Sequence, residues 1–534
     1  MKKLLCLVLA LVVALGMMSV MAEEKTYYGG YTDMIDATIA IYQRSSQGDA
    51  ENIWWWDFCR EYFGINFTVT QLTSTGEYKS TAFASGDMPD VFYQLFMGSS
   101  AVVEQGVVNH NLIALDEYIN EETMPNLTRI YEAYPEYKAT ITAGDGHIYS
   151  LGVIQNANSA LMTFYINQRW LDDAGLDVPT TLDEFTEVMA AFKAREELPE
   201  YEGKTVVPLT GDLGNQPRYI ANAMGWITDN ASYLTNIALK NDEPLFIYAD
   251  EELFPEFMKI MKDYIEKGYF SADVFDDQYA GNQTAQQKAE DLTGFDQNTS
   301  NAIDADEWVA AIPLTSDWND TPQIARSYNA INCQSFNISA SCDESKIERL
   351  CTWVDWLYDY DNYLMSHWGP SAEETEWLCG LESGYTTTVV DGKYVYSCAE
   401  VENGTYASFG DYQNQRVQGI IGGYLGLNVD LFGECTRDVN PTTYKNKVDE
   451  NVLPYLVDVY PNILFFDADV NTRVSELATE INSYVNETYV KFISGELEIN
   501  DENLATYFQT LKDLGYEEYV QVYIDYYEQY LASK

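Results

Sequence analysis

Histidine and positive charge are scarce in this sequence. Only His110, His147 and His367 occur in 534 residues, so a zinc site or a Ser-His-Asp triad has little to draw on. Lys and Arg number 30 against 84 Asp and Glu, giving a formal net charge of −54. Such a surface repels nucleic acid and anionic lipid and favours solubility, so no nucleic-acid partner is expected. Catalytic signatures are missing too. No G-x-S-x-G elbow, H-E-x-x-H, P-loop or dinucleotide fingerprint is present, and the run Gly419 to Gly426 (GIIGGYLG) has the wrong glycine spacing. Among 84 carboxylates some pair falls at glycosidase-like separation by chance, so paired acids say nothing about hydrolysis. These gaps argue against an enzyme, and no cofactor or metal is expected. CxxC is absent, no internal repeat or low-complexity tract is visible, and no run beyond residue 22 is apolar enough to span a bilayer.

What is present begins with a leader. Lys2 and Lys3 precede the uncharged apolar stretch Leu4 to Val20, and Val20-Met21-Ala22 places small residues before Glu23. This pattern predicts a signal peptide over residues 1–22 and a secreted protein at the extracellular face of the cell envelope. The other reading is a retained anchor, because Leu4 to Val20 sits at the low edge of spanning length. Without Lys2 and Lys3 the charge moves from −54 to −56. Screening over about 8 Å hides most of that field from a cleft, which leaves only a tilt towards neutral ligands. Seven cysteines follow the leader, Cys59, Cys333, Cys342, Cys351, Cys379, Cys398 and Cys435, so at least one is unpaired. Cys379 and Cys398 flank an expected hairpin; a bridge and a pair of buried free thiols both fit.

The chain is too long for one core, since single cores stop growing at roughly 250–300 residues. Thr38 to Tyr42 reads as a strand, Ala50 to Phe63 as a helix ended by Gly64, and Ile65 to Leu72 as a second strand. A helix over Tyr78 to Ala84 precedes a third strand, Asp90 to Tyr93. This alternation predicts an α/β protein with mostly parallel sheets and helical crossovers. Ligands bind such sheets beyond the carboxyl ends of strands, here the loops Gln43 to Asp49 and Gln94 to Ser100. Trp54-Trp55-Trp56 cannot share one helix face, and the expectation is that two of the three pack in the core. Lys204 to Thr210 reads as a strand, followed by GDLGNQPRY; Glu251 to Gly268 and the stretch from Val470 to Gly495 read as amphipathic helices.

The best-marked stretch is Gly146 to Lys193. Strand-like Leu161 to Ile166 leads to a short helix, Arg169 to Ala174, with Gly175 as its left-handed cap and Leu176 folding back. Thr181 and Glu184 form a capping box, and Phe185, Val188, Met189 and Phe192 make one apolar stripe.

The order IYSLG, YINQRWLDDAGL, PTTLDEFTEVMAAFK resembles the extracellular solute-binding proteins of carbohydrate ABC importers, in particular their LipO-like branch. SGDMPDV (Ser85 to Val91) and the closing segment Lys491 to Tyr530 carry the same resemblance, which therefore spans nearly the whole mature chain. It implies a two-lobed binding-protein fold with a hinge and cleft, lobe 1 from 23–155 and 320–370, lobe 2 from 156–319 and 371–534. The chain departs from the family twice. Its leader has no cysteine at the cleavage point for lipid anchoring, and Ala194 to Lys204 stands where relatives often carry a calcium-loop-like segment, without the alternating oxygen ligands such a loop needs.

Sugars offer C–H faces to aromatic rings and hydroxyls to planar polar groups, so rings and amides on loops are the candidates. The expected ligand-binding residues are Arg44, Gln94, Asp212, Gln216, Trp226, Trp368 and Glu373. The function implied is capture of a carbohydrate, an oligosaccharide being the expected case, by hinge closure and its delivery to a membrane permease by a monomeric receptor. A secreted glycan-binding protein without a transporter and a secreted glycoside hydrolase are the rival readings.

Overall fold

The computed structural model describes residues 25–533 except 45, 156–162, 210–216, 229–236, 271–286, 289, 298–306, 327–330, 391–392, 420–424, 438–450 and 462. The leader lies outside the described residues. The chain divides into two compact units, one formed by residues up to Leu95 with Glu117–Arg129 and Phe336–Gly426, the other by Phe96–Asp116, Ile130–Ser335 and Leu427–Lys534. Residues 96–116, 130–155 and 320–335, assigned from sequence to the first lobe, belong to unit 2, and residues 371–426, assigned to the second lobe, belong to unit 1. Two contacts show why: Trp54 Nε1 donates to Trp377 O at 2.8 Å, and Arg416 donates to Asn52 O.

In unit 1 the strand Ile35–Tyr42 pairs in parallel with Ile65–Leu72 along its whole length and with Val91–Tyr93 on its other side. Phe336–Ile338 then adds antiparallel to Val91–Tyr93, so the sheet is mixed. The SGDMPDV motif explains itself here. Asp90, buried, accepts from Thr38 N at 2.7 Å while its own N–H donates to Thr38 Oγ1 at 2.8 Å, which pins the third strand to the first.

The expected helix Ala50 to Phe63 is broken into a 3-10 turn Ala50–Asn52, an α-helix Trp54–Phe58 and a π-turn Cys59–Phe63, closed by left-handed Gly64. All three tryptophans are buried, not two. The helix is covered all round. Trp54 stacks on Phe58 (4.9 Å between centroids), Trp55 meets Trp356 (5.9 Å), and Trp56 lies edge-on to Phe67 (5.6 Å). Gly419 comes so close that a Cβ there would stand 1.8 Å from the Trp55 ring, so this glycine serves packing.

Unit 2 is built on the stretch Phe164–Lys193. Asn167 caps the helix Gln168–Ala174, Gly175 closes it at φ 68°, and Leu176 N donates back to Leu171 O at 3.0 Å. Thr181 and Glu184 make both halves of the capping box before Leu182–Lys193, and Phe185, Val188, Met189 and Phe192 are all buried. Phe164–Asn167 is the centre of a three-stranded sheet between Phe295–Gln297 and Trp308–Ala310, antiparallel on both sides. A mostly parallel sheet was expected. Here the chain returns to the central strand from its opposite end after a long helical excursion, so no strand–helix–strand crossover imposes parallel pairing. Lys204 to Pro208 also forms no strand; only Leu209 makes single bridges, to Phe270 and Phe295, because Pro208 has no N–H to give a ladder. The helices Ala468–Ile493, Asp501–Asp513 and Tyr516–Ser533 close the unit.

Candidate functional site

The loop after the first strand of unit 1 is held from both sides. Gly48 N donates to Asn414 O at 3.2 Å, and the amides of Gln43 and Gln71 both donate to Gly48 O, at 3.3 and 3.1 Å. A Cβ at Gly48 would stand 2.2 Å from Gln415 O, so the approach requires glycine. Arg44 is exposed on this loop, its backbone N donating to Gln47 Oε1 at 3.2 Å.

The segment meeting that loop is the helix Phe409–Tyr412, capped by Ser408, with the π-turn Gln413–Val417. Gln413 Nε2 donates to His367 O at 3.1 Å, and Arg416 reaches Gly380 O at 2.9 Å. Through these bonds the Arg44 loop, the amide run Gln413-Asn414-Gln415 and the His367-Trp368 turn share one region of unit 1. The amide run was not among the sequence candidates, although three planar amides in succession beside an Arg was the available signal.

Trp368 is half-buried in a ring cluster with Tyr396 (4.2 Å), Phe409 (5.8 Å) and Tyr385 (6.1 Å). These rings anchor the hairpin Thr386–Val390/Lys393–Ser397, which has no other sheet partner among the described residues. An isolated hairpin is marginal in water, so its base needs such an anchor. Gly369 turns the chain at φ 78°, and Glu373 follows, exposed, on the same turn. His367 accompanies Trp368 with Nδ1 3.0 Å from Tyr363 O and its other nitrogen sealed from solvent; burial pushes its pKa down to about 4.

The remaining candidates divide. Gln94, at the end of the third strand, is fully buried at φ 56°, so it shapes the loop and offers no exposed amide. Trp226 is a correction. It is 0% exposed in the core of unit 2, edge-on to Phe257 at 5.7 Å, with Nε1 donating to Asp250 Oδ2 at 3.2 Å. A ring packed on every side presents no face to a sugar. Asp212 and Gln216 lie outside the described residues. Cys379 and Cys398 are both free thiols, as are Cys59, Cys342 and Cys351.

The segment 194–204 folds as two 3-10 turns, Ala194–Glu197 and Pro199–Tyr201. Its centre is occupied by the protein's own cations. Lys193 Nζ contacts Glu196 Oε1 at 2.5 Å and Val206 O at 2.9 Å, and Glu196 Oε1 also accepts from Val206 N at 2.8 Å. Arg195, buried, lies over the Trp170 ring at 4.5 Å and pairs with Asp173 at 3.0 Å. With Glu196 committed in this way, the segment does not fit a calcium loop. Adding a chelator such as EDTA is therefore expected to leave the melting temperature unchanged, and a drop of several degrees reversed by Ca²⁺ would contradict it.

The fold is that of the two-domain solute-binding proteins. No protein-family model matches the chain, but individual relatives do. It is similar to the fructooligosaccharide ABC transporter substrate-binding protein FusA of Streptococcus pneumoniae serotype 4, 23% identical over 487 residues, covering 88% of this chain and 86% of that one. The structure of FusA in complex with kestose superposes with a TM-score of 0.72 at 19% identity, covering 94% of this chain and 100% of that one. An HMO-binding solute-binding protein from Bifidobacterium longum infantis gives 0.68 at 19% identity, covering 93% and 99%. Lipoprotein LipO of Bacillus subtilis is 28% identical over 162 residues, covering 29% of this chain and 30% of that one.

Proposed function

We infer that this protein is the substrate-binding component of an ABC importer, taking a neutral oligosaccharide and passing it to a membrane permease. The observation that carries the reading is the near end-to-end similarity to FusA, whose name specifies such a substrate. The exposed Arg44, the amide run Gln413 to Gln415, Glu373 and the Trp368 turn supply the polar groups and rings a sugar needs in unit 1. The leader exports the chain, which works as a monomer and performs no chemistry on its cargo. Among the described residues no helix is long and apolar enough to cross a membrane.

A thermal-shift screen tests this. Kestose, nystose and other neutral oligosaccharides are added to purified protein. A ligand at 100 times its dissociation constant is expected to add about 2.7 kcal/mol of stability. A panel without any shift, or turnover of a glycan, would defeat the reading.

A further inference from the structure

We propose that Lys193 is a tethered cation: its ammonium group does for the segment 194–206 of unit 2 what a bound divalent ion does for a calcium loop. Relatives often carry a calcium-loop-like segment at this place, and the residues present do not fit one. A lysine whose ammonium meets oxygen atoms on two sides stands there instead.

Lys193 is the last residue of the helix Leu182–Lys193, where the unpaired carbonyls of the final turn favour a positive charge. From there Nζ meets Glu196 Oε1 at 2.5 Å and Val206 O at 2.9 Å. Val206 N donates to the same Glu196 oxygen at 2.8 Å. Ammonium, carboxylate and the polar groups of Val206 thus close a ring across 13 positions of the chain. Ca²⁺ takes six to eight oxygen ligands at about 2.3–2.6 Å, whereas two oxygens and one positive charge suit an ammonium. The pair is partly shielded, the Lys193 side chain 23% exposed and that of Glu196 31%, so solvent screens it less than a surface pair. Gly268 leaves room for the lysine stem; a Cβ there would stand 3.1 Å from Lys193 Cε.

A second cation of the chain extends the same arrangement. Arg195, buried, pairs with Asp173 at 3.0 Å and lies over the rings of Trp170 and Tyr201 at 4.5 and 5.3 Å. Its Nε donates to the Tyr201 hydroxyl at 3.2 Å, and that hydroxyl donates to Asp291 Oδ2 at 2.7 Å. Asp291 Oδ1 accepts from Arg169 at 2.5 Å and from Trp170 Nε1 at 3.0 Å. The segment is therefore fixed to Val206, to the helix Gln168–Ala174 and to the turn before the strand Phe295–Gln297 by charges that belong to the chain. A bound ion stabilises only as far as its concentration exceeds its dissociation constant. A tethered one is always present, so unit 2 keeps this arrangement at any calcium concentration.

The test is thermal melting of the purified protein. The wild type is expected to melt at one temperature in calcium chloride and in EDTA. Lys193→Ala is expected to melt about 3–6 °C lower, the effect of losing one partly shielded charged hydrogen-bond donor. Methylammonium, which returns an N–H cation to the site, should recover most of that fall. Tetramethylammonium, with the same charge and no N–H, should recover none. Lys193→Met keeps the stem and drops the charge, and is expected to fall as far and respond to neither amine. If either variant melts like the wild type, or methylammonium does no more for Lys193→Ala than tetramethylammonium, the lysine only packs and the proposal fails. A wild-type melting temperature raised by Ca²⁺ would overturn it as well.

Discussion

Replacing Trp226 with alanine is expected to cost about 3–5 kcal/mol, the range for deleting a buried aromatic, while leaving sugar affinity within about twofold. The side chain is wholly enclosed, and its N–H is spent on Asp250. That carboxylate also accepts from Leu253 N at 2.9 Å and Glu252 N at 3.1 Å, at the start of the helix Leu253–Glu266. Removing the ring opens a cavity against Phe257 and deprives Asp250 of one donor. A fall in melting temperature on the order of 10 °C should follow for a unit of this size. Phenylalanine should recover part of the packing but not the hydrogen bond. If Trp226→Ala instead melted normally and lost sugar binding, the ring would belong to the ligand and not to the core.

The second large effect concerns pH, and two groups of unit 1 act in opposite directions. His367 has its pKa lowered from 6.5 to about 4 by burial. The residue keeps a partly exposed edge, but its Nε2 is sealed, so the penalty for charging the ring stands. The unfolded chain therefore takes up a proton that the folded one refuses. Its contribution is fully present above pH 6.5 and is lost as pH falls towards 4, by roughly 3 kcal/mol at most. Asp355 is the reverse. Burial raises its pKa from 3.8 to about 7, outweighing the N–H groups of Leu127 and Asn126 that donate to it at 2.8 and 3.1 Å. The folded form holds that proton longer, so acidification from pH 7 to 4 adds about 4 kcal/mol. The two slopes nearly cancel. Urea titrations between pH 4 and 7 should therefore be read as each variant's difference from the wild type, because other carboxylates titrate near the same window. His367→Phe should gain stability on acidification, and Asp355→Asn should lose it. Parallel slopes in the two variants would refute this assignment.

Local order was legible in the sequence where neighbouring residues suffice to specify it. Thr181 and Glu184 cap a helix whatever surrounds them, Gly175 can turn where a Cβ is disfavoured, and a 3.6-residue stripe needs a core on one side only. The strand Ile65–Leu72 has the bounds its alternation predicts. Long-range order was not legible in the same way. The antiparallel neighbours of Phe164–Asn167 come from segments more than a hundred residues away, and nothing in a strand's own residues states its partner's direction. The third buried tryptophan of Trp54 to Trp56 likewise depends on Trp356, Phe67 and Gly419 closing round a short helix.

The candidate site divides along the same line. Residue type nominates side chains able to hold a sugar; in the fold Arg44 and Glu373 lie exposed outside helix and strand, and Trp368 is half-buried at the end of the helix Tyr360–Trp368. Exposure itself is a property of the whole fold. Trp226 and Trp318 are the same residue type, and only packing decides that one fills a core while the other stands partly in water. By itself, the sequence determined the caps, the stripes, the acidic composition and the resemblance to solute-binding proteins, because these depend on composition and near neighbours. Tertiary structure alone decided strand direction, the membership of residues 371–426 and which rings face solvent, because burial is the sum of contacts from distant parts of the chain.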